Sequence, residues 1–148
     1  MSGVQTNVIG IVIVAHGRLG IELKSAVESI VGPLECFVAV EVPPEAPLHR
    51  IRPLIEQAIQ AVDDDDGVLV LTDLFGGTST NVSLSFLERG RVDVLSGVNL
   101  PMLMKISTSR RGHSLAELGA QLRDYGKRHI QLASEVLAAR ERAVGEAS

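Results

Sequence analysis

Short β-branched apolar runs alternate along this chain with stretches whose apolar residues recur every three or four positions. That alternation restricts the fold more than any other feature. Asn7-Val-Ile-Gly-Ile-Val-Ile-Val14 is apolar at almost every position, the pattern of a strand covered on both faces. Cys36-Phe-Val-Ala-Val-Glu-Val42, Gly67-Val-Leu-Val-Leu-Thr72 and the segment with Val92, Val94 and Leu95 read as three further strands. Between the first two, Leu19, Leu23, Val27, Ile30 and Val31 mark a helical stripe that stops at Gly32-Pro33. Pro47 to Val62 repeats the helical spacing through Ile51, Leu54, Ile55, Ala58, Ile59 and Val62. Thr78-Ser-Thr is expected to cap a helix running to Gly90, and a short helical stretch follows from Met102. Ser114-Leu-Ala-Glu117 is a capping box that starts a helix with Leu115, Leu118 and Leu122, interrupted at Gly126. Beyond it, His129-Ile-Gln-Leu-Ala133 alternates like a strand, while Leu132, Val136 and Leu137 also suit a helix, and periodicity does not choose.

Strand–helix alternation with short connections implies a mainly parallel sheet of four strands with helices on both faces, an α/β three-layer sandwich. The composition agrees. Aromatic residues are 3% of the chain and Trp is absent, so the core is aliphatic. The 148 residues amount to a single domain, 1–148. One cysteine, Cys36, excludes an internal disulfide and a multi-cysteine zinc site, and it reads as a small hydrophobe in a buried strand. The net charge of −4, without a Lys/Arg block, gives no footing for nucleic-acid binding. Met1–Asn7 carries no basic leader region, and Val8–Ala15 is far short of the roughly 20 residues of a membrane span. The expectation is a cytoplasmic protein without membrane insertion. The acidic run Asp63–Asp66 lacks the ligand spacing of a calcium loop and reads as a solvated turn.

In parallel sheets, ligands sit outside the carboxyl ends of the strands, near the point where strand order reverses. The first strand exits into Ala15-His16-Gly17, the third into Asp73-Leu-Phe-Gly-Gly-Thr-Ser-Thr-Asn81, and the fourth into Gly97-Val-Asn-Leu-Pro-Met-Leu103. One ring nitrogen of a neutral imidazole is nucleophilic when the other donates its proton to a partner. Asp73 can be that partner of His16, provided the first and third strands are neighbours. A transferred phosphoryl group spreads charge over three oxygens and needs donors. Backbone amides of Gly76 and Gly77, the hydroxyls of Thr78 and Ser79, and the following helix start can supply them, and Gly17 allows the tight turn behind His16. The glycine loop is not a P-loop, because the Lys-Ser/Thr is missing. His49, His113, His129 and Arg18 read as surface residues, and Met102, Leu103 and Met104 as packing residues.

Taken together, Ile-Val-Ile-Val-Ala-His16-Gly, Gly67-Val-Leu-Val-Leu-Thr-Asp73-Leu-Phe-Gly-Gly-Thr and Gly97-Val-Asn-Leu-Pro-Met-Leu103 resemble the IIA component of the mannose family, fructose subfamily. That family belongs to the bacterial phosphoenolpyruvate-dependent sugar phosphotransferase system. The likeness spans roughly residues 8–135, leaving 136–148 as a tail. It implies that His16 accepts a phosphoryl group at Nε2 from the phosphocarrier HPr and passes it to a separate IIB component. Asp73 would hold the opposite nitrogen, with Thr78 and the Gly76–Gly77 backbone receiving the phosphoryl oxygens. It further implies a homodimer in which a C-terminal strand crosses to pair antiparallel on the partner's sheet, which favours His129–Ala133 as the exchanged strand and Gly126 as its hinge. No cofactor and no metal are implied. One departure stands out: Ser79 and Thr80 replace the family's usual Pro and bulky residue, giving either a looser loop or one whose hydroxyls add donors. With the chain ending at Ser148, the expectation is that the IIB component is a separate protein and not a fused domain.

Other functions use the same residues differently. A subunit serving dihydroxyacetone kinase would use the same histidine with another acceptor, and a regulatory protein would report its phosphorylation state. A receiver-like domain would phosphorylate Asp73, but it needs an acidic pair after the first strand, where Ala15-His16-Gly17 stands. A noncatalytic anion-binding module would use the glycine loop alone.

Overall fold

The computed structural model describes residues 7–147; residues 1–6, which hold most of the segment read for a leader, and residue 148 lie outside the described residues. Strands β1 (Gly10–His16), β2 (Phe37–Val42), β3 (Val68–Thr72) and β4 (Val92–Ser96) form one parallel sheet in the order β2-β1-β3-β4. Around it lie α1 (Leu19–Val31), α2 (Leu48–Val62), α3 (Thr78–Leu84), α4 (Leu100–Ser109), α5 (Leu115–Arg128) and α6 (Ala133–Glu146).

The continuous apolar runs are explained by two cores, one on each face of the sheet. Ile11, Ile13 and Ala15 with Leu69 and Leu71 pack against Val27 of α1, Leu103 and Ile106 of α4, and Leu118 and Leu122 of α5. Val12 and Val14 with Val68 and Val70 pack against Ile51, Ile55 and Ile59 of α2 and Val82 of α3. Successive strand residues point to opposite faces, so a strand buried on both sides has no polar phase. Each fully buried Ile or Leu contributes about 1.5–3 kcal/mol from its removal from water.

From β1 the chain steps to β2 on one side, then crosses to β3 on the other side of β1. Right-handed crossovers in opposite directions put α1 and α2 on opposite faces of the sheet, as the two cores show. The strand order therefore reverses between β1 and β3. Val14 lies opposite Thr72, so the carboxyl ends of these two strands finish side by side.

Two local expectations need correction. The helix starting at Thr78 ends at Leu84 rather than reaching Gly90: the amides of Ser85, Phe86 and Leu87 bond carbonyls three residues back, tightening the chain into turns before β4. Gly126 does not interrupt α5, which runs to Arg128. A Cβ there would lie 3.0 Å from Met102 Cε and 3.3 Å from Asn99 Oδ1, so the glycine lets α5 close onto the start of α4. In the single chain His129 caps α5, residues 130–132 carry no regular structure, and Ala133 begins α6. The capping box at Ser114 and Glu117 is present, with both reciprocal hydrogen bonds. Asp63–Asp66 is a turn in which Asp64 accepts the Val8 amide and Asp63 the Asp65 amide. Cys36 precedes β2 and is half-buried. Among the described residues no helix is long and apolar enough to cross a membrane.

Candidate phosphoryl-transfer site

His16 is the last residue of β1, and Asp73 directly follows β3, so the reversal point brings together two residues 57 positions apart. Asp73 Oδ2 accepts hydrogen bonds from the His16 backbone amide at 2.9 Å and lies 2.6 Å from His16 Nδ1. Its other oxygen, Oδ1, accepts the Leu74 amide at 3.0 Å. Burial pushes the Asp73 carboxyl up, but the hydrogen bonds from the His16 amide, the His16 ring and the Leu74 amide outweigh it and hold the carboxyl below its ordinary value. An ionised carboxylate only accepts hydrogen bonds, so in the neutral form of the ring Nδ1 carries the proton and the lone pair is on Nε2. The Asp73 side chain is 9% exposed and that of His16 51%. The orienting group is thus sheltered while the ring remains open to a visitor.

The turn behind the histidine is anchored on the other side. Gly17, at φ +53°, donates its amide to the Val42 carbonyl at 2.8 Å. Gly76, at φ +87°, turns the chain after Phe75. Gly77 lies against the ring: a Cβ there would fall 3.3 Å from His16 Cε1 and 3.2 Å from Leu74 Cδ1. Gly77 also stands at the N-cap of α3, so Thr78 is its first residue and is half-buried. His16, Gly17, Asp73, Gly76, Gly77 and Thr78 accordingly surround one edge of the sheet.

Ser79 departs from the expectation. It is fully buried, so its hydroxyl is not displayed at the surface, and Oγ finds no hydrogen-bond partner among the described residues. The neighbouring Thr80 is also buried, and its hydroxyl holds Leu74 O at 2.6 Å and Thr72 Oγ1 at 2.7 Å. Both replacements of the family pattern therefore point inward, and the added-donor alternative does not hold. An unpartnered buried hydroxyl costs about 1–3 kcal/mol. Ser79→Ala is expected to raise stability by about 1 kcal/mol, read as a higher urea midpoint with an unchanged slope.

The third motif serves the scaffold. The amides of Gly97 and Val98 bond the Thr72 carbonyl at 2.9 and 3.0 Å. Asn99 caps α4 through Oδ1 to the Met102 amide and donates from Nδ2 to the Gly126 carbonyl. Arg18 is exposed and lies 3.5 Å from Glu22. His49, His113 and His129 lie outside the His16 contacts; the latter two bond Ser109 and Tyr125 carbonyls through Nδ1. Sequence reasoning passed over Leu74 and Phe75, both exposed, Phe75 at 75%. Two adjacent apolar residues in a glycine loop were the available signal. Among the described residues no group of three His, Cys, Asp or Glu side chains is arranged to hold a metal ion.

A family model described as the PTS system fructose IIA component matches residues 10–122. The chain is 32% identical over 130 residues to the fructose-specific EIIA component of Bacillus subtilis (strain 168), covering 87% of this chain and 89% of that protein. It is 31% identical over 113 residues to the sorbose-specific EIIA component of Lacticaseibacillus casei, covering 76% and 81% of the two. Its backbone superposes on the crystal structure of phosphotransferase system component EIIA from Streptococcus agalactiae with a TM-score of 0.77, at 31% identity, across 86% of this chain and 98% of that one. By the span of the family model and by these identities, the chain belongs to the fructose IIA component family, the mannose-type IIA proteins of the sugar phosphotransferase system.

Proposed function

We propose that this protein is a phosphohistidine carrier in which His16 Nε2 takes a phosphoryl group from phospho-HPr and delivers it to a IIB component. The single observation that carries the reading is the 2.6 Å contact between His16 Nδ1 and a sheltered Asp73 carboxylate, behind a ring that is half exposed. With Nδ1–H donated to Asp73, the Nε2 lone pair attacks phosphorus in line. The N–P bond forms as the bond to the HPr nitrogen breaks, and the departing HPr imidazole regains its neutral form. Positive charge developing on the His16 ring is compensated by Asp73. Gly76 and Gly77 amides with the Thr78 hydroxyl receive the phosphoryl oxygens, and the open first turn of α3 adds its dipole. Attack by a nucleophile of IIB reverses the geometry and restores neutral His16. Exposed Leu74 and Phe75, in the loop that follows Asp73, suit closure against a protein surface that excludes water.

Delivery between soluble partners places the carrier in the cytoplasm. We also hold the second copy as part of the reading: β4 is an edge strand, and residues 130–132 lie outside this chain's sheet, where a partner's edge can pair with them.

The test is incubation with phosphoenolpyruvate, enzyme I and HPr, followed by peptide mapping of the phosphate. Acid-labile, hydroxylamine-resistant phosphate on the peptide containing His16 is expected. Hydroxylamine-sensitive phosphate on Asp73 would instead support receiver-like chemistry, and no phosphate at all would overturn the carrier reading.

A further inference from the structure

The His16–Asp73 contact does not stand alone; Leu74 ties it to a buried polar pair at the end of β3. Thr72 and Thr80 are both fully buried, and their hydroxyl oxygens are 2.7 Å apart. Thr80 Oγ1 also lies 2.6 Å from the Leu74 carbonyl oxygen. A carbonyl only accepts and a hydroxyl has one proton, so Thr80 donates to Leu74 and Thr72 donates to Thr80. This is a directed chain of hydrogen bonds between buried hydroxyls, where each bond strengthens the next. Leu74 is thereby held at both ends of its backbone, its carbonyl by Thr80 and its amide by Asp73 Oδ1. Its side chain lies against Gly77, and Gly77 lies against the His16 ring.

We infer that Thr80 is a positioning residue for phosphoryl transfer: through Leu74, the Thr72–Thr80 hydroxyl pair seats the Asp73 carboxylate and the Gly76–Gly77 turn against His16. The inference deepens the carrier reading and rests on it for its kinetic effect. Thr80 touches neither His16 nor the phosphoryl position, so it acts only through the loop. A valine at this position keeps the shape of threonine while leaving the Leu74 carbonyl and the Thr72 hydroxyl without their partner. The loop then has a competing arrangement, and small misplacements at a reacting centre cost large factors in rate.

The experiment compares Thr80→Val with Thr80→Ser in the full chain by rapid-quench phosphoryl transfer from phospho-HPr. The low-field proton resonance of His16 Nδ1 is recorded on the unphosphorylated proteins. Thr80→Val is expected to lower kcat about tenfold with KM changed by less than about twofold, and to shift or broaden the Nδ1 proton. Thr80→Ser is expected to stay within about threefold of wild type with the resonance in place, because the hydroxyl and not the methyl does the seating. A folded Thr80→Val protein with wild-type kcat and an unmoved resonance overturns the inference, and so does a Thr80→Ser protein as impaired as Thr80→Val. Where Thr80→Val does not fold, Thr72→Val tests the same chain: a displaced Nδ1 resonance supports it and an unmoved one overturns it. If the wild-type protein takes no phosphate, the carrier reading falls while the resonance still decides the role of Thr80.

Discussion

Replacing Asp73 by alanine is expected to slow phosphoryl acceptance at His16 about 100-fold or more, and His16→Ala to abolish it. In the proposed transfer the carboxylate has three tasks, all performed through Oδ2. It would fix the ring by the 2.6 Å contact at Nδ1, select the tautomer whose lone pair is on Nε2, and compensate the charge that appears on the ring during attack. Alanine removes all three. Asp73→Asn is the sharper probe, because its amide group can donate to Nδ1 and stabilise the opposite tautomer while keeping the side-chain shape. Its rate is expected to fall at least as far as that of the alanine variant. Either change also weakens the hold on the His16 and Leu74 amides, at about 1–2 kcal/mol of stability, so folding must be verified by urea titration alongside the rates. Rapid-quench transfer at saturating HPr reads the effect in kcat. A folded Asp73→Ala protein with wild-type kcat would remove Asp73 from the mechanism.

Arg110→Ala is expected to destabilise the fold by about 3 kcal/mol, the largest of the stability effects predicted for this chain. Arg110 caps the end of α4, yet its side chain enters the sheet's amino-terminal edge and is only 5% exposed. Its Nε donates to the Ile9 carbonyl at 2.9 Å, 101 residues away, and its Nη2 to the Cys36 carbonyl at 2.6 Å. One planar group thus joins the residues that enter β1 and β2. Burial draws the guanidinium pKa down from its ordinary value, though an arginine stays charged at neutral pH. Truncation leaves two carbonyls without their charged donor and opens a space behind them. Lysine does not restore the pair, because a single ammonium lacks the forked geometry that reaches both oxygens. The measurement is the free energy of unfolding in urea for Arg110→Ala and Arg110→Lys. A loss below about 1 kcal/mol in Arg110→Ala would mean that the two bonds contribute little. Catalytic rates are expected to stay near wild type, since Arg110 lies at the opposite end of the strands from His16.

The element types were legible because their signals are local. β-branched runs of five to seven residues predict strands, and helical spacing predicts most helices with boundaries close to those observed. The site was legible to the same depth: a histidine at one strand exit and an aspartate with a glycine loop at another. Periodicity overreached where the number of buried positions was at stake. Leu19 and Ile30 of α1, and Leu48 and Leu54 of α2, belong to the apolar stripes but remain exposed, since the sheet covers a narrower face than the stripe offers. At Gly126 the low intrinsic helix propensity of glycine predicts an interruption, which a close helix–helix approach overrides. Ser79 and Thr80 looked like surface donors because a loop of hydroxyls is usually wet, whereas the short helix they begin turns both of them into the core.

By itself the sequence determined a βα succession with an aliphatic interior, and it named the residues that emerge at the strand ends. Only the tertiary structure decided that β1 lies between β2 and β3, and with that, that Asp73 touches His16. It alone decided the inward turn of Thr80 and the bridge made by Arg110. The physical reason is range: torsional preference and hydrophobic period act over a few neighbouring residues. Which strand end meets which, and which polar group finds its partner in the core, depends on packing between segments 57 or 101 positions apart.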